Sequence, residues 1–369
     1  MALTKVDQTM VSDQVFGRRN LFINGKMQIA QRAATATSQT GTGFHTVDRW
    51  EFVANSAGTW DISQSTTVPT GEGFAYSQKL ECTTADSSLS AGDYLIWRQK
   101  IEGINLQQLK YGTSSAEKLT LSFWVRSAKT GTYIVEFYNN NSAGIKLQSQ
   151  SYTISSADTW EKKTITIDGD TALAFQNTTD GELLMYWWLA AGSNYTGGGS
   201  LNNSWNSSVA NNTRAVGVVN LADSTSNDWY ITGIQLEVGD NATPFEHLSY
   251  GEELQECKRY FERLNYADTS IALVGNAFSP AGVFGVLPWT VEKRGTPSVT
   301  LSGVGQSSGQ WSYLTANGGY PSTTGSTTGS SINTHQCRIN ATGYAGLTDD
   351  SVSGLYCQGA SYIDIDAEI

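Results

Sequence analysis

The sequence predicts a mostly β chain: two β-rich domains separated by one short helix. Three observations carry that expectation, namely composition, strict alternation of side-chain polarity, and a single brief change of period. Of 369 residues only 15% are charged, while Gly numbers 37 and Pro 6. Ser, Thr, Asn and Gly fill the polar positions that Lys and Glu hold in helical proteins, which favours strands and turns. The 11 Trp and 17 Tyr supply enough apolar surface for a sizeable core and argue against wholesale disorder. The length allows two or three domains.

Residues 1–19 are polar and weakly patterned and are expected to be an extension. Residues 20–248 read as one short strand after another. In Lys118–Arg126, Leu119, Leu121, Phe123 and Val125 share one face, with Thr120, Ser122, Trp124 and Arg126 on the other. Thr132–Tyr138 follows a Lys129-Thr130-Gly131 turn, and Lys163–Asp168 turns Ile165 and Ile167 inward. Trp229–Val238 places Tyr230, Thr232, Ile234, Leu236 and Val238 on one side. Such alternation marks half-buried strands, and the frequent turn clusters fit a β-sandwich. Trp187 and Trp188, adjacent in a strand, must face opposite ways.

The period then changes. Ser249-Tyr250-Gly251-Glu252 fits a capping box, and Leu254, Cys257, Phe261 and Leu264 follow at spacings of three, four and three. This predicts a helix over about 250–264, within a linker 249–265, whose four seam residues pack either on the chain's own sandwich or, the favoured reading, against other copies about an axis. Residues 266–369 return to β patterning and are expected to form a C-terminal β-sandwich head. The last segment alternates Ile363, Ile365, Ala367 and Ile369 against Asp364, Asp366 and Glu368, so it is expected to be paired and buried. Gly318–Ser331 reads as an exposed loop of low complexity. No repeat of about 20–50 residues is visible, which argues against a propeller, solenoid or parallel β-helix.

The net charge is −11, and no basic stripe exists to neutralise phosphates, so nucleic acid is a poor partner. An acidic surface gives no attraction to anionic lipid, and no apolar run of about 18 residues predicts a membrane span. The N-terminus lacks a secretory apolar region, so synthesis in a reducing cytoplasm is expected. Cys82, Cys257, Cys337 and Cys357 are scattered and are expected to be free thiols, with a Cys337–Cys357 bridge as the alternative.

Several blocks resemble a known family. Gly17-Arg18-Arg19-Asn20-Leu21-Phe22-Ile23-Asn24-Gly25 and its continuation through Met27 to Arg32 are similar to the start of many marine bacteriophage tail-fibre and virion structural proteins. Asp48-Arg49-Trp50, Thr120–Ser127 and Asp158–Glu161 are similar to its middle strands. The longest match runs from Ile231-Thr232-Gly233-Ile234-Gln235-Leu236-Glu237-Val238-Gly239 through Ala242-Thr243-Pro244-Phe245-Glu246 to Cys257-Lys258-Arg259-Tyr260-Phe261. The terminal Asp366-Ala367-Glu368-Ile369 also resembles that family's ending. The resemblance implies a jelly-roll, carbohydrate-binding-module-like domain over 20–248, a variable head, and a homotrimer. It further implies a place on the virion, with a bacterial surface glycan or receptor as the target; residues 1–19 are then either a frayed terminus or an arm gripping another virion protein. The alternatives are a capsid head fibre or decoration protein and a glycan-degrading tailspike.

No catalytic motif accompanies these features. His45, His247 and His335 are expected to be structural or exposed, no metal-ligand spacing appears, and no cofactor is predicted. Gly71-Glu72-Gly73 reads as a turn. A glycan binder needs aromatic rings beside amide and hydroxyl side chains. Tyr195 and Trp205 in one stretch, and Trp311, Tyr313, Tyr320 and Tyr344 in the C-terminal loops, have that texture. Asp168, Asp170 and Asp223 have turn chemistry, with calcium ligation as the less favoured alternative.

Overall fold

The computed structural model describes residues 18–207, 210–267, 271–279, 282–302, 311–314, 326–342, 352–357 and 361–369. The chain divides into two compact units, Met1–Tyr250 and Gly251–Ile369.

In the first unit the strands are β1 (Thr35–Gln39), β2 (Glu51–Asn55), β3 (Thr59–Ser65), β4 (Ser77–Thr84), β5 (Tyr94–Glu102), β6 (Leu119–Ser127), β7 (Gly131–Asn141), β8 (Gly144–Ile154), β9 (Glu161–Ile167), β10 (Gly181–Ala191) and β11 (Asp228–Val238). They form two antiparallel sheets, ordered β1-β3-β4-β11-β6-β9 and β2-β5-β10-β7-β8. The chain crosses repeatedly from one sheet to the other, as a jelly-roll sandwich does. Leu119, Leu121, Phe123 and Val125 of β6 point inward as their alternation predicts. They share one core with Trp50, Trp97, Met185, Trp187 and Trp229.

Strand β11 departs from the expected parity. Its pairing with β6 slips between Thr232 and Gln235, a bulge centred on Gly233 in the left-handed region at φ +61°. Because the side-chain period is two, one extra residue exchanges the faces. Trp229 and Ile231 are inward before the bulge, and Ile234 and Leu236 after it. Tyr230 and Thr232 therefore do not share a face with Ile234, and Gln235 and Glu237 turn outward.

The two blocks most distinctive in the sequence meet at this bulge. Asn20 Nδ2 donates to the Ile234 carbonyl at 3.0 Å, and Asn20 Oδ1 accepts from Leu236 N at 3.0 Å. Ile234 N donates to Gly25 O at 2.9 Å, and a Cβ on Gly25 would sit 2.1 Å from the Ile234 oxygen. Glu246 Oε2 accepts from the backbone N–H groups of Arg19 and Asn20 at 2.9 and 2.8 Å. Thr243 N and Oγ1 donate to the buried Glu237 carboxylate at 2.8 and 2.5 Å. The family-like residues thus form a clasp that folds the segment after β11 back over its own sheet.

A short helix α1 (Ser193–Thr196) opens the long connection between β10 and β11; helix α2 is Tyr250–Lys258. The helix expected to reach 264 therefore ends six residues early. Phe261 and Leu264 lie instead on β12 (Phe261–Tyr266), which pairs with the terminal strand. Cys257 and Phe261 are 0% and 1% exposed within their own chain, and Leu254 is half-buried, so the four residues do not form one helical seam open to other copies. The strongly alternating terminus claims the backbone from Phe261 onward, and tertiary pairing overrides the local helical spacing.

The second unit continues with β13 (Ile271–Ser279), β14 (Gly282–Pro288), β15 (Ser298–Leu301), β16 (Trp311–Leu314), β17 (Ser326–Ser330), β18 (Gln336–Thr342), β19 (Val352–Cys357) and β20 (Ser361–Asp366). These form a three-stranded sheet, β12-β20-β15, and a six-stranded sheet, β16-β19-β13-β14-β18-β17. Ile363 and Ile365 of the central β20 pack with Leu273, Val283, Ile339 and Leu355 of the other sheet, a second sandwich core. Lys293 Nζ, fully buried, donates to Glu262 Oε2 at 2.7 Å and to the Lys258 carbonyl at 2.5 Å, satisfying the end of α2. Cys82, Cys257 and Cys337 are free and buried, so no bridge joins Cys337 to Cys357.

Candidate functional site: an aromatic cleft on one face of the first sandwich

The outer face of the β1-β3-β4-β11-β6-β9 sheet carries a cleft of about 420 Å³. Glu72, Phe74, Ser122, Trp124, Lys162, Gly233, His247 and the 242–245 segment line it. Each side chain is delivered by a feature already described. Ser122 and Trp124 are the outward residues of β6, and Lys162 stands opposite Trp124 on β9. The bulge creates the room: a Cβ on Gly233 would lie 2.5 Å from Phe74 Cζ, so only glycine lets that ring lie on the strand. The loop bearing Phe74 is held by Thr232 Oγ1, which donates to Tyr76 O at 2.7 Å. The clasp supplies the opposite wall, Pro244 to His247.

Three rings form a mutually braced cluster. Phe74 meets Phe245 edge-on at 5.1 Å and His247 at 5.6 Å, and Phe245 meets His247 at 4.9 Å. Burial, aided by the Lys26 ammonium, holds the His247 imidazole below the ordinary histidine value, so it is neutral at pH 7. Around the rings stand the Glu72 carboxylate, the Ser122 hydroxyl, the Trp124 indole N–H, the Lys162 ammonium and that imidazole. None of these five groups hydrogen-bonds another described residue. Apolar ring surface beside unengaged, convergent polar groups is the composition of a small-molecule or glycan site. Glu72 is the cleft's one carboxylate, and no group of three or more His, Cys, Asp or Glu suited to a metal occurs among the described residues.

The residues singled out by sequence lie elsewhere. Tyr195 packs on Trp188 at 5.1 Å and on Tyr94 at 5.5 Å, over the outer face of the other sheet. Trp205 is half-buried, its Nε1 donating to Asp168 O at 2.8 Å and its ring edge-on to Tyr111. Trp311 is 4% exposed and its Nε1 donates to Ser302 O at 2.7 Å, which makes it a core residue of the second unit. The side chain of Tyr313, and all of Tyr320 and Tyr344, lie outside the described residues. Asp168, Asp170 and Asp223 each face a lysine ammonium, at 3.1, 2.9 and 2.5 Å from Lys118, Lys146 and Lys129, and Asp170 also accepts from the backbone N–H groups of Ala172 and Leu173. His247, expected to be structural, packs on Phe74 and Phe245 and also lines the cleft. Phe74 and Phe245 carry no sequence signal of their own. Trp124 did carry one, as the lone outward aromatic of a strictly alternating strand.

No protein-family model matches the chain, and no curated protein matches it. Among solved structures, the enzymatically active domain of bacteriophage CBA120 tailspike protein 4 aligns at 14% identity and a TM-score of 0.31, over 59% of this chain and 21% of that one. A putative sugar binding protein from Bacteroides thetaiotaomicron aligns at 13% identity and a TM-score of 0.31, over 60% of this chain and 100% of that one. A family 11 carbohydrate-binding module from Clostridium thermocellum, in complex with a β-1,3-1,4-mixed-linked tetrasaccharide, aligns at 13% identity and a TM-score of 0.26, over 57% and 99%.

Proposed function

We propose that this chain is a non-enzymatic, homotrimeric bacteriophage tail-fibre subunit that holds a bacterial surface glycan in the cleft of its first unit. The observation that supports glycan binding is the meeting of a three-ring wall with five polar groups that no described residue engages by a hydrogen bond. A pyranose presents apolar C–H faces to such rings and hydroxyls to such groups. Hydrolysis by the usual two-carboxylate route needs a second acid across the bond, and the cleft offers Glu72 alone. The fibre role and the trimer rest on the family resemblance of the Gly17–Arg32 and Ile231–Phe261 blocks. Three copies would let individually weak sites act together through effective concentration.

The test is a glycan array probed with the purified full chain and its Trp124→Ala variant. Retention by the parent and loss by the variant are expected; no retained glycan at all overturns the binding role. Light scattering should give three chain masses, and a monomer removes the trimer. Immunogold labelling is expected on the virion tail, and labelling confined to the head would favour the capsid alternative. Incubation with bound polysaccharide should release no new reducing ends.

A further inference from the structure

The cations on the cleft's sheet face are not treated alike. Lys79 meets Glu81 at 2.6 Å. Arg126 meets Asp158 at 2.7 Å and Asp228 at 3.8 Å. Lys162, on the same outward face, has no carboxylate partner among the described residues. This happens in a chain where Asp and Glu outnumber Lys and Arg by 34 to 23. Of these three cations, the one without a carboxylate partner among the described residues is the one that lines the cleft.

Its neighbour directly opposite across the β6–β9 ladder is Trp124, whose indole N–H is likewise unengaged. An ammonium and an indole N–H offer donors and no acceptor, so together they suit an oxygen anion better than a hydroxyl. No ion pair joins Glu72 to Lys162 among the described residues. Glu72 enters on the loop before Phe74, where a Cβ on Gly73 would be 3.4 Å from His247 Nε2, on the β11 side. In the sheet order β11-β6-β9, β6 separates that end from Lys162. The donor-only pair of Trp124 and Lys162 therefore marks the β9 end of the cleft. The chain's net charge of −11 repels acidic polymers at a distance, so holding one requires such a local cation.

We infer that the ligand of the cleft is an anionic saccharide. Its carboxylate, sulfate or phosphate group lies against Lys162 and the Trp124 N–H, and neutral hydroxyls lie toward Glu72 and His247. This rests on the cleft being a glycan site, and its test separates the two ideas. The full chain and its Lys162→Gln variant are compared on immobilised uronate-, sialate-, sulfate- and phosphate-bearing glycans and on their neutral counterparts. Lys162 is solvent-exposed, so the variant should melt with the parent. Retention should favour acidic glycans, and the variant should lose about tenfold more on them than on neutral ones. Which acidic arm responds identifies the anion. Equal retention of neutral glycans, or a variant that binds acidic ones undiminished, overturns the inference and leaves the glycan site standing. Retention of nothing overturns both.

Discussion

The two outer faces of the first sandwich are built from the same kind of alternating strand, yet they end in opposite states. On the β2-β5-β10-β7-β8 sheet, the connection from β10 to β11 folds back over the outward residues. Trp188, Tyr186 and Ile134 are buried beneath it. Arg214, carried by that connection, donates to both oxygens of the buried Glu136 at 2.5 and 2.8 Å and lies over the rings of Tyr138, Tyr186 and Trp188. Arg98 Nε likewise donates to Glu51 Oε2 at 2.7 Å, and Arg98 Nη1 donates to the Tyr186 hydroxyl at 3.0 Å. The charged groups named on that face are engaged within the chain. On the other sheet the clasp covers part of the face and stops, leaving the polar groups of Trp124, Lys162, Ser122, Glu72 and His247 without a hydrogen-bond partner among the described residues. The lesson is that an aromatic and charged sheet face is not in itself a binding face. What distinguishes a site is polar capacity left unspent.

The sharpest way to break the comparison is Arg214→Met. It leaves Glu136 buried and unpaired, which should cost about 3–5 kcal/mol. The double variant with Glu136→Met should regain most of that loss in a thermal melt. An unchanged melting temperature in the single variant would mean the face is not sealed by this pair. Trp124→Ala acts on the open face and should do the reverse. Glycan retention should fall on the order of tenfold or more, while stability moves little, because the ring is half-exposed.

Gly233→Ala joins the two effects. An L residue at its φ of +61° is strained by about 1–2 kcal/mol, and the new Cβ displaces the Phe74 ring. A modest loss of stability should accompany loss of binding. Unimpaired binding would show that the bulge does not shape the site.

The smallest effect is one of pH. Burial and Lys26 lower the His247 pKa, so its imidazole should titrate below the ordinary 6.5 in an NMR titration. Its contribution to stability is present above 6.5 and fades as pH falls through the depressed value. Over that same interval the cleft, which also contains Lys162 and Glu72, gains positive charge and an acidic ligand should bind more tightly. Titration of His247 above 6.5 would contradict the described surroundings.

Much of this molecule is legible without coordinates. The alternation in Lys118–Arg126 identifies both the buried Leu119, Leu121, Phe123 and Val125 and the outward Ser122 and Trp124. The terminal Ile363, Ile365 and Ala367 announce a paired, buried strand, and β20 is the centre of its sheet. The blocks around Asn20 and Ile234 stand out as distinctive, and their side chains are spent on the clasp that shapes the cleft. Other features required the fold. Gly233 reverses the faces of β11, because a bulge is a property of pairing with β6. The stripe through Leu254 and Leu264 dissolves into helix and strand, because a partner 101 residues away at Asp364 takes the backbone at Arg263.

In a regularly paired strand such as β6, period alone determined which side chains point outward, since that follows from local backbone geometry. Whether an outward side chain is then covered, as Trp188 is, or left open, as Trp124 is, depends on segments remote in sequence. Only the tertiary structure decided that, because covering a face requires a chain to return to it, and no local pattern records where a chain returns.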